Sequence, residues 1–299
     1  MWLVDLLRGL YRRWVRPDAR NALAVALLLA QHDRWPKTIS AWPERRVLVL
    51  SPHPDDEAIG CAGAVLAHVA AGAEVRIVHV SDGRNGDRRL QDPALDGHTR
   101  RTLQQGLVAT RRNEARQWAR EAGAAEARFL EMPDGAIAPG ETHVTRLAAW
   151  LDEARPELVY LPFVTDLLED HWQTARLFSA AVERCGPWVD ALVVRGYEVW
   201  SPLPANRVAD ITAWAARKRE LLGVYGSQLR DVDYRRAIEG LNTYRSMMLA
   251  ATGCGQAEAF FECHLRGWLD IVAHAGLAPA RVSSGRPHLP FAVSMESLS

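Results

Sequence analysis

Arg46-Val47-Leu48-Val49-Leu50-Ser51-Pro52-His53-Pro54-Asp55-Asp56-Glu57-Ala58-Ile59-Gly60-Cys61-Ala62-Gly63 is the stretch from which the rest of this 299-residue chain can be read. Val47 to Leu50 is an apolar run without alternation, the pattern of a parallel strand buried on both faces. Pro52 and Pro54 end the ladder, because proline has no N–H to donate. From Ala58 onward, small and apolar residues open a helix through Val65, Leu66 and Val69 that Gly72 closes. One imidazole and three carboxylates therefore share a single turn at the C-terminal end of a strand. In open α/β sheets that edge is where ligands bind.

A solvated acidic turn capping a helix would by itself account for Asp55-Asp56-Glu57, since carboxylates are favoured at helix N-termini. His53 changes the balance. Crowded carboxylates raise one another's pKa unless a cation intervenes, and imidazole with carboxylate is a ligand set for first-row metals. His53 and Asp56 can share an ion while Asp55 stays off it as a base. Leu158-Val159-Tyr160-Leu161-Pro162 predicts a second buried strand, followed by a loop to Asp170 and a helix opening at His171. Asp170-His171 thus sits at a strand's C-terminal edge, as His53 does. With both strands in one parallel sheet, His53, Asp56 and His171 make a two-His, one-carboxylate site with a position open for water. Catalytic zinc sites have that form, and other divalent first-row metals fit it. Asp170 would orient His171, or its loop, from behind the ligands.

The run Pro52-His53-Pro54-Asp55-Asp56-Glu57 followed by Gly60 resembles the signature of the PIG-L (LmbE-like) family of zinc-dependent de-N-acetylases. Ser81-Asp82-Gly83 resembles the turn after that family's second strand. Arg111-Arg112-Asn113-Glu114 resembles its Arg-x-x-Glu helix start, and Met132-Pro133-Asp134-Gly135 its Pro-Asp-Gly loop. Asp166 with Asp170-His171 fits the motif of the third ligand. Tyr197-Glu198-Val199-Trp200, Lys218, Tyr225-Gly226-Ser227-Gln228 and Ala257-Glu258-Ala259-Phe260 are similar to the pattern of some bacterial members. The resemblance implies one zinc ion per chain and removal of acetyl from an N-acetylglucosaminyl substrate, with Arg111 and Asp134 binding the sugar. It departs at one position. The family commonly has a His three residues before the ligand His, credited with helping to protonate the leaving amine. Here that position is Leu168. With the same site, hydrolysis of another N-acyl group, or a silent sugar-binding or scaffolding protein, is the alternative.

Composition narrows the class. Lys+Arg and Asp+Glu are both 36, so no basic excess points to nucleic acid. Cys61, Cys185, Cys254 and Cys263 form no close CxxC pair and read as reduced thiols of a cytoplasmic protein. Strands at Val75–Val80, Arg128–Leu130, Leu158–Pro162 and Ala191–Val194 alternate with helical segments. That alternation predicts a Rossmann-like α/β sandwich with a mostly parallel sheet and helices on both faces. Residues 83–106 read as a long polar loop, in which Arg84, Arg88 and Arg89 face an anionic substrate group or solvent. From Thr212 onward the pattern is helical.

The reading divides the chain into an N-terminal helical extension (1–44), a deacetylase-like domain (45–278) and an extended tail (279–299). In the extension, Leu3, Leu6, Leu7 and Leu10 recur at helical spacing among Arg8, Arg12 and Arg13. They read as helices packed on the core, with peripheral contact to an anionic membrane as the second reading.

Overall fold

The computed structural model describes residues 35–230, 232–249 and 253–274. Along the chain run β1 (Lys37–Ile39), β2 (Arg46–Ser51), α1 (Asp56–Gly60), α2 (Ala62–Ala70), β3 (Glu74–Ser81), α3 (Gly97–Ala122) and β4 (Glu126–Met132). Then come α4 (Glu141–Ala154), β5 (Leu158–Pro162), α5 (Glu169–Val182), β6 (Val193–Tyr197), β7 (Arg207–Asp210), α6 (Ala215–Leu222) and α7 (Gly226–Leu229). α8 (Tyr234–Ser246), β8 (Ala257–His264) and α9 (Leu265–His274) complete the described strands and α-helices.

The strands form one sheet in the order β1-β7-β8-β6-β5-β2-β3-β4. Every pairing is parallel except those of β8, which runs antiparallel between β6 and β7. The unbroken apolar run of β2 is explained by its two faces. Leu48 and Leu50 enter a core with Leu147 and Leu151 of α4, Phe178 of α5 and Trp268 of α9. Val47 and Val49 enter the other, with Val65 of α2, Trp118 of α3, Leu221 of α6 and Ile238 of α8. Each fully buried aliphatic or aromatic side chain contributes about 1.5–3 kcal/mol, so the doubly covered central strands anchor the molecule.

The topology also places the crevice. From β2 the chain builds outward through β3 and β4, then returns as β5 on the other side of β2. The loops leaving β2 and β5 therefore diverge from neighbouring strands, a topological switch point at which doubly wound sheets bind ligands. Gly60 makes the close approach possible. A Cβ there would stand 2.2 Å from Cδ2 of Tyr197, whose hydroxyl donates to the Leu50 carbonyl at 2.8 Å.

Four expectations change. Residues 97–106 are not loop but the opening turns of α3, because the Asp96 carboxylate caps the N–H groups of His98 and Thr99 at 2.8 and 2.9 Å. The first helix is two, broken at Cys61 (φ −146°, ψ 20°). The region past Thr212 is not wholly helical: β8 is a core strand whose partners lie more than 45 residues earlier. And Lys37–Ile39, inside the stretch assigned to a separate extension, is the edge strand of the sheet. The amphipathic reading of the first 34 residues, its membrane alternative and the extended tail fall outside the described residues. No helix among the described residues is long and apolar enough to cross a membrane.

Candidate active site

The turn after β2 carries its functional groups on a strained backbone. Asp55 has φ 140° and ψ −23°, outside the regions open to a residue with a Cβ, a conformation that costs about 1–3 kcal/mol. Its amide donates to Oε2 of Glu57 at 3.2 Å, and its carbonyl accepts from Ala58 and Ile59 at 3.0 Å each. Glu57 in turn accepts from Ser51 Oγ at 2.7 Å and from the Tyr225 hydroxyl. This bracing turns Asp55 and Asp56 to different sides.

Asp56 points at the neighbouring strand. Its Oδ2 lies 3.2 Å from Nδ1 of His53 and 3.2 Å from Nε2 of His171, at the start of α5. The structure brings His53, Asp56 and His171 together, one ligand atom of each falling within 4.8 Å of the others. The His171 contacts are not hydrogen bonds. Both its ring nitrogens are buried without a hydrogen-bond partner among the described residues, although Asp166 Oδ1 stands 3.2 Å from Nδ1. A buried imidazole aimed at a carboxylate, at contact distance but off hydrogen-bond geometry, fits a slot for a cation between them. The donor set agrees, being two imidazoles and a carboxylate.

The supporting carboxylates are exchanged relative to the sequence reading. Asp170 does not orient His171. Its Oδ2 meets Nε2 of His53 at 3.1 Å and accepts from Gly135 at 2.7 Å, while its Oδ1 accepts from Ile137 at 3.3 Å. Adjacent residues on a helix point in different directions, so Asp170 crosses the crevice to His53 and the β4 loop. Asp166, back in the β5 loop, faces His171 instead, and its other oxygen accepts from the Trp200 amide at 2.9 Å. Asp134 adds to this side: Oδ1 lies 3.3 Å from His53 Nε2, and Oδ2 accepts from Asn85 at 3.0 Å.

Arg111 is buried beside Asp55. Its side chain is 3% exposed; Nη2 reaches Asp55 Oδ2 at 3.0 Å and donates to the Pro54 carbonyl at 2.5 Å. Of the loop arginines, Arg84 pairs with Asp82 and Arg89 with Asp87. Leu168 is the N-cap residue of α5, half-buried, with its amide on Asp166 Oδ1 at 3.2 Å.

The electrostatics follow from this crowding. Burial pushes Asp55 up to about 7, with Arg111 pulling down and Asp56 pushing up. Burial alone would raise Asp56 as well, but the imidazoles of His171 and His53 override it and drive it far below the carboxylate range. For His171, burial opposes the charge, while Asp56 and Asp166 outweigh it and raise the imidazole to about 9. His53 moves the same way against burial, through Asp134, Asp170 and Asp56. The site thus holds one carboxylate poised near neutrality beside another locked in its charged form.

The comparisons agree with this geometry. The family profile described as GlcNAc-PI de-N-acetylase, PIG-L, matches residues 48–182, from β2 to the end of α5 and so across every proposed ligand. Residues 48–182, less than half of the chain, carry this likeness to the PIG-L family. Over 124 residues the chain is 33% identical to a 1D-myo-inositol 2-acetamido-2-deoxy-alpha-D-glucopyranoside deacetylase of Streptomyces avermitilis, covering 39% of this chain and 41% of that one. Over 157 residues it is 32% identical to the protein of the same description from Mycobacteroides abscessus, covering 47% and 56%. The chain therefore spans about half the length of the curated relatives it matches.

Among solved structures, the chain resembles N,N'-diacetylchitobiose deacetylase from Pyrococcus horikoshii. The TM-score is 0.62 at 23% identity, covering 74% of this chain and 85% of that one. It also resembles 4-carboxy-2-hydroxymuconate hydratase from Pseudomonas putida, with a TM-score of 0.61 at 20% identity, covering 76% and 95%. One fold carrying two reactions leaves the chemistry to be argued from the site.

Proposed function

We propose that this chain is a metal-dependent hydrolase that removes the acetyl group from an N-acetylglucosaminyl substrate. The observation that carries this reading is the convergence of His53, Asp56 and His171 on one slot at the switch point, with Asp55 beside it and off it. The PIG-L match and the amino-sugar deacetylases among the relatives support the substrate class.

His53, Asp56 and His171 would hold the ion, zinc by the character of the donors, with Asp166 and Asp170 fixing the two imidazoles from behind. A divalent ion bound there supplies a Lewis acid for the acetyl carbonyl and makes a water acidic near neutral pH. Asp55, beside the slot and off it, takes the proton of the attacking water. Arg111 holds the Asp55 carboxylate in place. As the C–N bond breaks, the amine needs a proton that Leu168 cannot give, and the protonated Asp55 returns it. Asp134, 12% exposed at its side chain beside His53, takes a sugar hydroxyl.

The test is release of free amine from N-acetylglucosaminyl compounds, with and without a chelator, alongside other N-acyl sugars and simple amides. Chelator-sensitive release confined to acetyl-amino-sugars is the expected result. No release from any of them by metal-loaded protein would overturn the reading and leave the hydratase-like use of the fold to be examined.

A further inference from the structure

The profile match ends at residue 182, yet the residue that completes the bracing of Asp55 comes from beyond it. Tyr225, in the connection from α6 to α7, is buried and donates its hydroxyl to Oε1 of Glu57. The other oxygen, Oε2, accepts from Ser51 Oγ at 2.7 Å and from the Asp55 amide at 3.2 Å. One wholly buried carboxylate thus joins the end of β2, the strained residue and a tyrosine 168 residues away in sequence. On the opposite side Arg111 grips the Asp55 carboxylate and the Pro54 carbonyl.

The φ of 140° at Asp55 is held from both sides, by Glu57 at its N–H and by Arg111 at the Pro54 carbonyl and the Asp55 carboxylate. The other non-glycine residues with positive φ among those described, Glu131 at 61° and Arg155 at 41°, have smaller angles than Asp55. Among the described residues only Glu57 accepts from the Asp55 N–H, so that bond constrains how the backbone presents its side chain. Glu57 can face inward only because Ser51 and Tyr225 satisfy its oxygens in a dry interior, where an unpaired carboxylate oxygen would be turned back to solvent.

We propose that Tyr225, acting through Glu57, is a positioning residue that holds Asp55 in its strained conformation. The assignment of a proton-transfer role to Asp55 rests on the hydrolase reading above; the clamp on its backbone does not.

Tyr225→Phe tests it with little change in volume. The kcat for amine release should fall by between about 10- and 100-fold, as expected when a reacting group is displaced by a fraction of an ångström to an ångström. KM and bound metal per chain should stay unchanged. Glu57→Gln should lower kcat too, and the double variant should be no worse than the poorer single one, because the two act as one unit.

Amide hydrogen exchange gives a readout free of catalysis. In Tyr225→Phe the Asp55 amide should lose protection while the core amides of Val49 and Tyr160 keep theirs. Wild-type kcat together with wild-type protection at Asp55 would overturn the proposal. So would a loss of kcat accompanied by equal losses of metal or of core protection, which would make Tyr225 merely structural. If the wild-type protein releases no amine from any acetyl-sugar, the hydrolase reading fails, and the exchange measurement still decides the clamp.

Discussion

Two clusters of buried charge flank the paired helices α1 and α2, and they resolve their charges in opposite ways. In the first, Lys218 of α6 donates to Glu258 of β8 and to the Ile59 carbonyl, each at 2.8 Å. Glu258 also accepts from the amides of Gly63 and Ala64 at 2.8 Å, capping α2 where Cys61 offers no side-chain cap. Nearby, Glu198 pairs with Arg245, and both also bond the backbone of Leu203. Each cation meets one carboxylate, and the remaining lone pairs are filled by amides. The second cluster is the crevice. Among the described residues, Asp55, Asp56, Asp134, Asp166 and Asp170 face one guanidinium, that of Arg111, and two imidazoles, one of which has no hydrogen-bond partner on its ring. A balanced, fully bonded cluster is scaffolding; an excess of acceptors around an unbonded imidazole is a place for something to bind.

The difference predicts which variants lose activity and which lose stability. Asp55→Asn removes a proton-transfer group from the surplus side while keeping its shape. Turnover should fall by about 10²–10⁴-fold with metal content and thermal midpoint retained, as amine release, elemental analysis and calorimetry would show. Near-wild-type turnover would remove Asp55 from the chemistry. In the balanced cluster the outcome inverts. Lys218→Met leaves Glu258 buried without its cation and should cost about 3–5 kcal/mol in denaturant unfolding. Combining Lys218→Met with Glu258→Gln should recover much of that loss, since the substituted side chain is neutral and its amide oxygen can still accept at the α2 terminus. Equal stability of the single and double variants would contradict the pairing.

How much of this was legible in the sequence follows the same division. The crevice was readable because its strands are short apolar runs and its ligands sit immediately after them, so a local pattern carries both fold and chemistry. The balanced cluster was not, because Glu258 and Lys218 acquire their meaning only when β8 inserts between β6 and β7. Ala257-Glu258-Ala259 carries no strand signature of its own; the pairing with its neighbours overrides propensity. The exchange of Asp166 and Asp170 was invisible for a different reason. Adjacency to His171 suggested Asp170, and only the helix geometry of α5 shows that adjacent side chains diverge. Asp166→Asn should therefore weaken metal affinity about 10–100-fold, measured by competition with a chromophoric chelator. An unchanged affinity would return the orienting role to another group.

Buried imidazoles extend the comparison to pH. His68 of α2 packs against Trp42 and Tyr160, and burial, with Arg195 behind Tyr160, pushes it down to about 3 from 6.5. The unfolded chain then takes up the proton first, so the His68 contribution is complete above pH 6.5 and is lost as pH falls towards 3. His171, raised to about 9, runs the other way: its contribution in metal-stripped protein is complete below 6.5 and is lost as pH rises through 9. Between pH 6.5 and 5.5, His68→Gln should flatten the loss of unfolding free energy by about 1 kcal/mol. Parallel urea-midpoint curves for wild type and variant would show that His68 is not buried in its neutral form.

The smallest expected effect falls at the boundary of the surplus cluster, where a group is missing. Leu168 stands at the N-cap of α5, three residues before His171, with its amide held by the same Asp166 that faces His171. The side chain there is half-buried. Leu offers no proton, and an amine is too basic to leave readily without one, so a single carboxylate must act first as base and then as acid. Leu168→His would separate those roles. An imidazole at this position has an ordinary pKa near 6.5, lowered by burial and raised by the carboxylates around it. It is therefore available as an acid on the low side of that value. The variant should turn over severalfold faster and add a basic limb to the pH profile of kcat, as the imidazole loses its proton. An unchanged rate and profile would mean that Asp55 already delivers the proton as fast as the C–N bond can break, and that Leu168 costs the enzyme nothing.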